Sequence, residues 1–174
     1  MEEKQLEINT MVLKDLIRST KNFVEYMKEY GLRRIPRPRT DSNWDIEQLI
    51  EHVILVDKSV LSILKEQPFG SVKKEHIPKY QMRDIMLNRR RKIRSLKMLQ
   101  PTQTDKSRQQ LLAEFQEIRN EIMNQLKNSQ FDLQSLETYP HPALGPLTRR
   151  DWLYMLCFHS DRHIAQSQEI LFIK

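Results

Sequence analysis

The sequence predicts an all-α protein, a four-helix bundle with long crossover connections. Glycine is scarce, with three in 174 residues, and apolar residues recur at helical spacing, whereas alternating β-branched runs are absent. Four of these segments are long enough to be bundle helices, and long stretches connect them. A chain of this length is most simply one domain, so we predict a single bundle domain over residues 1–174.

The first two helices are predicted at residues 6–30 and 42–67. In the first, the apolar side chains form one stripe, and Gly31 is expected to end the helix. Ser42 and Asp45 have the spacing of a capping box, in which a hydroxyl caps a free N–H group and a carboxylate reaches back. This pair therefore predicts the start of the second helix.

The middle of the chain is predicted to contain a helical crossover and the third bundle helix. Residues 80–99 can form a helix, but their apolar pattern is poor and their charge is high, so we place them over the bundle. Residues 105–126 have a clear inward stripe and form the third main helix. Thr104 or Asp105 is expected to cap it.

The last helix is predicted to begin at Thr148, after a loop at residues 139–147. Thr148 and Asp151 have the spacing of a second capping box. Beyond them the segment is apolar on most of its sides, which is typical of a helix at the centre of a fold.

Positive charge is concentrated in two clusters, residues 33–39 and 89–92, and the formal net charge is +6. Such clusters can bind nucleic acid, attract an anionic small molecule or form a solvated surface. No nucleic-acid recognition motif accompanies them, and no aromatic residues are interleaved as single-strand binding would require. We therefore expect no nucleic-acid partner.

The single cysteine, Cys157, excludes an internal disulfide and a cysteine metal cluster. Residues 1–5 are polar and have no apolar stretch behind them, so we expect no signal peptide. No apolar run approaches the ~18 residues of a membrane span. These features predict a cytoplasmic protein that has no membrane partner.

Three histidines carry the strongest functional signal. His159 and His163 lie four residues apart in the last predicted helix, so their side chains share one face. His52, in the second helix, could supply a third imidazole. Three imidazoles would leave coordination positions open, which is typical of catalytic rather than structural metal sites. The alternative is that they are ordinary satisfied or solvent-facing histidines, but burying imidazoles in an apolar helix is unfavourable unless something satisfies them.

Three further residues are candidates for supporting roles. Gln166 lies three residues beyond His163 on the same side of the helix and could hydrogen-bond a ligand. His141 could line the site, or it could be a structural loop residue between prolines. Asp57 falls near the centre of an apolar arc, so we expect it to pair with an arginine or a histidine; a cap or interface position is the alternative.

Two stretches of the sequence resemble the DinB-like proteins. Residues 44–52 are similar to the W-x-x-x-x-x-x-x-H opening of their second helix. Residues 142–166 resemble their last-helix signature, P-x-x-G-x-x-x-x-x-x-W followed by H-x-x-x-H-x-x-Q, which is carried here by Pro142, Gly145, Trp152, His159, His163 and Gln166. In order and spacing the likeness covers essentially the whole chain.

The resemblance implies a DinB-like four-helix bundle in which His52, His159 and His163 hold a divalent ion, which is nickel, zinc or iron in the family. The family includes a YfiT-like branch described as metal-dependent hydrolases, and thiol-S-transferases that use a low-molecular-weight thiol such as mycothiol, bacillithiol or glutathione. Many relatives are homodimers. We therefore predict a metal-dependent enzyme that acts on a small-molecule substrate through a metal-activated water or thiolate. The alternative is a non-catalytic metal-binding, dimerising bundle.

Overall fold

The structure is a computed structural model that describes residues 2–32, 44–66, 72–90, 95–102 and 105–172. Its elements, in chain order, are α1 (Glu2–Leu32), α2 (Ile46–Lys65), α3 (Lys79–Leu87), a 3-10 turn (Lys97–Leu99), α4 (Arg108–Lys127), β1 (Thr138–His141), β2 (Gly145–Thr148) and α5 (Arg149–Phe172).

The four long helices pack around one apolar core. Helix α5 contacts α1, α2 and α3, and α4 contacts α1 and α2. The inward stripes meet in pairs such as Phe23 and Phe115, whose ring centroids lie 4.8 Å apart and whose side chains are fully buried. Burial of these stripes is the main stabilising contribution to the fold. The predicted all-α bundle is confirmed, and α1 includes Gly31, which was expected to end it.

The segment at residues 139–147, predicted as a loop, forms a two-stranded antiparallel hairpin with its flanking residues. Pro140 and Pro146 face each other in its register. Because proline cannot donate to a strand ladder, this composition argued against strands. Gly145 makes the turn possible, since its φ of 77° lies in the left-handed region that side chains disfavour.

The prediction of one helix over residues 80–99 is wrong, because α3 ends before Asn88. The Arg162 guanidinium of α5 donates through Nη1 to the carbonyl oxygens of Met86 and Asn88, at 2.7 and 3.0 Å. These are carbonyls that a helix end leaves without intrahelical partners. Arg162 therefore satisfies the end of α3 and holds this short helix on the bundle.

The capping box of α2 differs from the predicted one. Asp45 is itself the N-cap: its carboxylate accepts from the Gln48 backbone N–H at 2.8 Å, and the Gln48 side chain accepts from the Asp45 backbone N–H at 3.1 Å. Asp45 was expected to occupy the third helical position behind Ser42, which lies outside the described residues. Gln48, three residues after Asp45, completes a capping box equally well, so α2 begins directly after Asp45.

The cap of α4 is Ser107, not Asp105, and Thr104 lies outside the described residues. The Ser107 hydroxyl accepts from the Gln110 backbone N–H at 3.3 Å, and the Gln110 side chain accepts from the Ser107 N–H at 2.8 Å. A serine followed by glutamine at the third helical position satisfies two free N–H groups, whereas Asp105 has no such partner in sequence.

Replacing Ser107 with alanine is expected to lower the free energy of unfolding by about 1 kcal/mol, because one free N–H group at the start of α4 loses its acceptor. Urea denaturation would measure this change. Ser107→Asp is the matched control, since its carboxylate can accept the same hydrogen bond, and it should retain most of the stability. An alanine variant as stable as the wild type would show that this cap contributes nothing.

The capping box predicted for α5 is confirmed. The Thr148 N–H donates to Asp151 at 3.1 Å, and the Asp151 N–H donates to the Thr148 hydroxyl oxygen at 3.2 Å. Asp151 also accepts from the Ile77 N–H at 2.9 Å, and His76 contacts the Thr148 hydroxyl at 2.9 Å. The start of α5 is therefore tied to the segment that precedes α3.

Candidate metal centre

The structure brings the three predicted histidines together. His52 comes from α2, and His159 and His163 come from successive turns of α5. One ring nitrogen of each lies within 4.8 Å of the other two. The ring centroids are 5.3 Å apart for His52 and His159, 5.1 Å for His52 and His163, and 4.4 Å for His159 and His163. Among the described residues, no fourth His, Cys, Asp or Glu joins this group.

Hydrogen bonds set the tautomers of two of these imidazoles. His52 Nδ1 lies 2.7 Å from the Leu99 carbonyl oxygen, and His163 Nδ1 lies 2.9 Å from Gln166 Oε1. Both oxygens can only accept, so each Nδ1 carries the proton and each Nε2 keeps its lone pair. Metal-binding histidines are commonly oriented by such a bond on the nitrogen that does not bind the ion. Gln166 therefore accepts a hydrogen bond from His163, which lies three residues before it in the sequence.

The position of His159 fits the same ion. Its Nε2 lies 3.1 Å from His163 Nε2, and its buried Nδ1 has no partner among the described residues. Two nitrogens that each lie ~2.0–2.1 Å from one ion are about 3–3.4 Å apart at tetrahedral or octahedral angles. The donor set and the spacing of this pair therefore fit a divalent ion, and the identity of the metal is left open.

Burial keeps the three histidines in the neutral form that metal binding requires. It lowers the pKa of His52, and it holds the pKa values of His159 and His163 well below the usual 6.5. The His52 imidazole also lowers the pKa values of His159 and His163, and the positive charge of Arg162 acts in the same direction. Their lone pairs are therefore available at neutral pH.

The histidines line a cavity of about 430 Å³ between α2, α5, the hairpin and the 3-10 turn. Its walls are mostly apolar, and they include Val56, Val60, Ile63, Leu99, Leu144 and Met155. His141, Trp152 and Arg162 add polar groups. Of the described residues that line the cavity, none is an aspartate or a glutamate. An apolar cavity with a few polar groups is the usual form of a small-molecule site.

Asp57 lies in the core and not in the cavity. It forms a fully buried ion pair with Arg119 of α4, which confirms the expected pairing with an arginine. The same guanidinium donates to the Leu156 carbonyl oxygen at 3.1 Å and to the Ser160 and Ser19 hydroxyls at 2.8 and 3.3 Å. One side chain thus joins α1, α2, α4 and α5, and it fixes the turn of α5 from which the candidate metal ligands project.

Sequence reasoning missed Arg119, although a signal was present. Arg119 interrupts the apolar stripe of α4 directly after Ile118, and a charged residue in that register needs a buried partner. The hydrogen bond that the Leu99 carbonyl accepts from His52 had no such signal, because every residue carries a backbone carbonyl. Cys157 is fully buried, and burial raises its pKa to about 11, so its thiol is an inert part of the core.

The family model of the DinB superfamily matches residues 13–167. The chain belongs to the DinB superfamily. The chain is also similar to the uncharacterized protein YuaE of Bacillus subtilis (strain 168). The two are 26% identical over 134 residues, which are 73% of this chain and 76% of YuaE. No solved structure matches the chain at comparable significance.

A membrane-crossing helix is absent from the part of this DinB superfamily protein that the structure describes: no helix there is both long enough and apolar enough.

Proposed function

We propose that this protein is a divalent-metal-dependent enzyme that acts on a small molecule, as a thiol-S-transferase or as a hydrolase. The supporting observation is a cluster of three neutral histidines that lines a cavity of small-molecule size. A nickel, zinc or iron ion held by three neutral ligands would keep its full charge and lower the pKa of a bound water or thiol.

The residues around the cavity have separable roles in this proposal. His52, His159 and His163 would hold the ion, while the Leu99 carbonyl and Gln166 fix the orientation of two of the rings. The apolar walls exclude water and strengthen electrostatic interactions inside the cavity. The Arg162 guanidinium places positive charge at the wall, where it favours an anionic group on a thiol or a substrate.

The lining favours thiol transfer over hydrolysis. Hydrolysis commonly uses a carboxylate to take the proton of the attacking water, and no aspartate or glutamate is found among the described lining residues. A thiol whose pKa has been lowered already loses its proton near neutral pH and needs no such base. Hydrolysis therefore stands second. Homodimerisation and a cytoplasmic location stay predictions.

Conjugation of a low-molecular-weight thiol to an aromatic halide is the direct test. We expect metal-loaded protein to catalyse it, and we expect the rate to rise with pH towards neutrality. This rise would report deprotonation of the bound thiol, since ligands that hold an ion are already deprotonated and burial also favours the neutral form of all three histidines. Activity should disappear in His52→Ala and persist in His76→Ala, whose imidazole lies outside the cavity.

Two results would count against thiol transfer. In cobalt-substituted protein, a thiol that binds through sulfur should change the visible absorption spectrum. If no thiol changes the spectrum while ester or amide substrates are cleaved, hydrolysis is the activity. If neither reaction occurs and the ion proves inaccessible to solutes, the protein is a non-catalytic metal-binding bundle.

A further inference from the structure

His141 lies at the end of β1, and its ring forms part of the wall of the cavity that holds the metal-site histidines. It packs against Trp152 of α5, another lining residue, with ring centroids 5.0 Å apart. The hairpin, which contributes none of the three clustered histidines, therefore places a further imidazole at the cavity wall.

The hairpin turn fixes which nitrogen of His141 carries the proton. The backbone N–H groups of Ala143 and Leu144 both donate to Nδ1, at 3.1 and 3.0 Å. Backbone N–H groups can only donate, so Nδ1 must hold the lone pair and Nε2 must hold the proton. Burial also lowers the pKa of His141 to about 4, so the ring stays neutral at physiological pH.

Two N–H donors of these lining side chains lack acceptors within the described parts of the chain. His141 Nε2–H is one, since the hydrogen bonds of this ring all involve Nδ1. The indole Nε1–H of Trp152 is the other, and it is buried. His141 is only half-buried, so its Nε2–H is the donor that an acceptor in the cavity can reach.

We propose that His141, packed against Trp152, forms a subsite that binds a carbonyl or carboxylate oxygen of the ligand, whose apolar part lies against Val60, Ile63 and Met155. The Nε2–H of His141 donates, so an acceptor oxygen is its matching partner. A neutral imidazole whose tautomer is fixed can polarise a carbonyl without transferring a proton. The inference rests on the proposed function only in taking this ligand to be the substrate of the metal site.

The test uses chelator-treated protein, since the His141 donor does not need the ion. Hexanamide and hexanoate are the acceptor probes, and hexylammonium is the control ligand that has the same chain and no acceptor. In protein labelled with 15N at its histidines, both acceptor probes should move the His141 Nε2–H proton resonance downfield, as a new hydrogen bond does. Hexylammonium should leave it in place.

Two variants test the Nε2–H donor of His141 and its Nδ1 acceptor in the turn separately. His141→Asn keeps an acceptor for the Ala143 and Leu144 N–H groups and lacks the distal donor, so it should lose only the ring packing against Trp152 and melt close to the wild type. It should bind both acceptor probes about threefold to tenfold more weakly and bind hexylammonium unchanged. His141→Gln keeps a distal amide donor and loses the turn acceptor, so it should melt lower and retain more hexanamide affinity than the asparagine variant.

Several results would overturn the subsite. These are equal affinity of wild type and His141→Asn for hexanamide, an unshifted His141 resonance at saturation, or no saturable binding of either acceptor probe. Should any of them occur while His52, His159 and His163 bind metal, this inference fails and the proposed function stands. Should His141 respond as expected while these three histidines bind no metal, the proposed function fails and the subsite stands.

Discussion

Replacing Arg119 with methionine is expected to lower the free energy of unfolding by about 3–5 kcal/mol, because it leaves the Asp57 carboxylate buried without its counter-charge. Both side chains are fully buried. The guanidinium donates twice to Asp57, and it also donates to the Leu156 carbonyl oxygen and the Ser160 hydroxyl. Urea denaturation of the metal-free protein would measure the loss.

The double variant Asp57→Leu with Arg119→Met is the matched control. Removing both charges removes the uncompensated carboxylate, and apolar side chains of similar volume can replace a buried ion pair with little loss or even a gain. We expect it to recover most of the stability that the single variant loses. A single variant as stable as the wild type would show that Asp57 carries no charge in the native core.

The pH dependence of the single variant follows from the causes that act on Asp57. Burial raises the pKa of this carboxyl above its usual 3.8, and the Arg119 guanidinium opposes the rise. Without Arg119 only the raising cause remains. The folded state then binds more protons than the unfolded state above pH 3.8, so the stability present at low pH is lost as the pH rises through the folded pKa. The gap between variant and wild type should therefore widen with increasing pH.

The sequence predicts the bundle helices and the candidate ligands because both depend on local spacing. The apolar periods identify four long helices, and the box from Thr148 to Asp151 positions the start of α5. Once α5 is helical, the four-residue spacing places His159 and His163 on one face whatever surrounds them. The need of a buried carboxylate for a partner likewise predicts that Asp57 pairs with a cation.

The features that the sequence left undetermined depend on contacts between distant segments. The end of α3 is satisfied by Arg162, 74 residues beyond Asn88, and His52 is oriented by a carbonyl 47 residues away. The hairpin joins residues whose prolines argue against strands. None of these contacts has a periodic signature, so local patterns could not indicate them. Together they shape the cavity, which is why its volume and lining had no counterpart in the sequence analysis.

Changing His159 to alanine is expected to abolish metal-dependent stabilisation while leaving the metal-free protein nearly as stable as the wild type. An ion that binds only the folded state stabilises it by about 2.7 kcal/mol at a free concentration one hundred times the Kd. Two imidazoles would hold the ion far more weakly than three, so the variant should gain little. In chelator the ring contributes little, because its buried Nδ1 has no partner among the described residues.

Thermal melts with and without added metal, supported by elemental analysis, would measure this difference. His76→Ala is the matched control, because this imidazole contacts the Thr148 hydroxyl at 2.9 Å and lies outside the metal-site cavity. It should lower the melting temperature by the same amount under both conditions and keep stoichiometric metal. If His159→Ala instead lowers the melting temperature equally with metal and with chelator, its ring acts through packing, and the three histidines do not form a metal site.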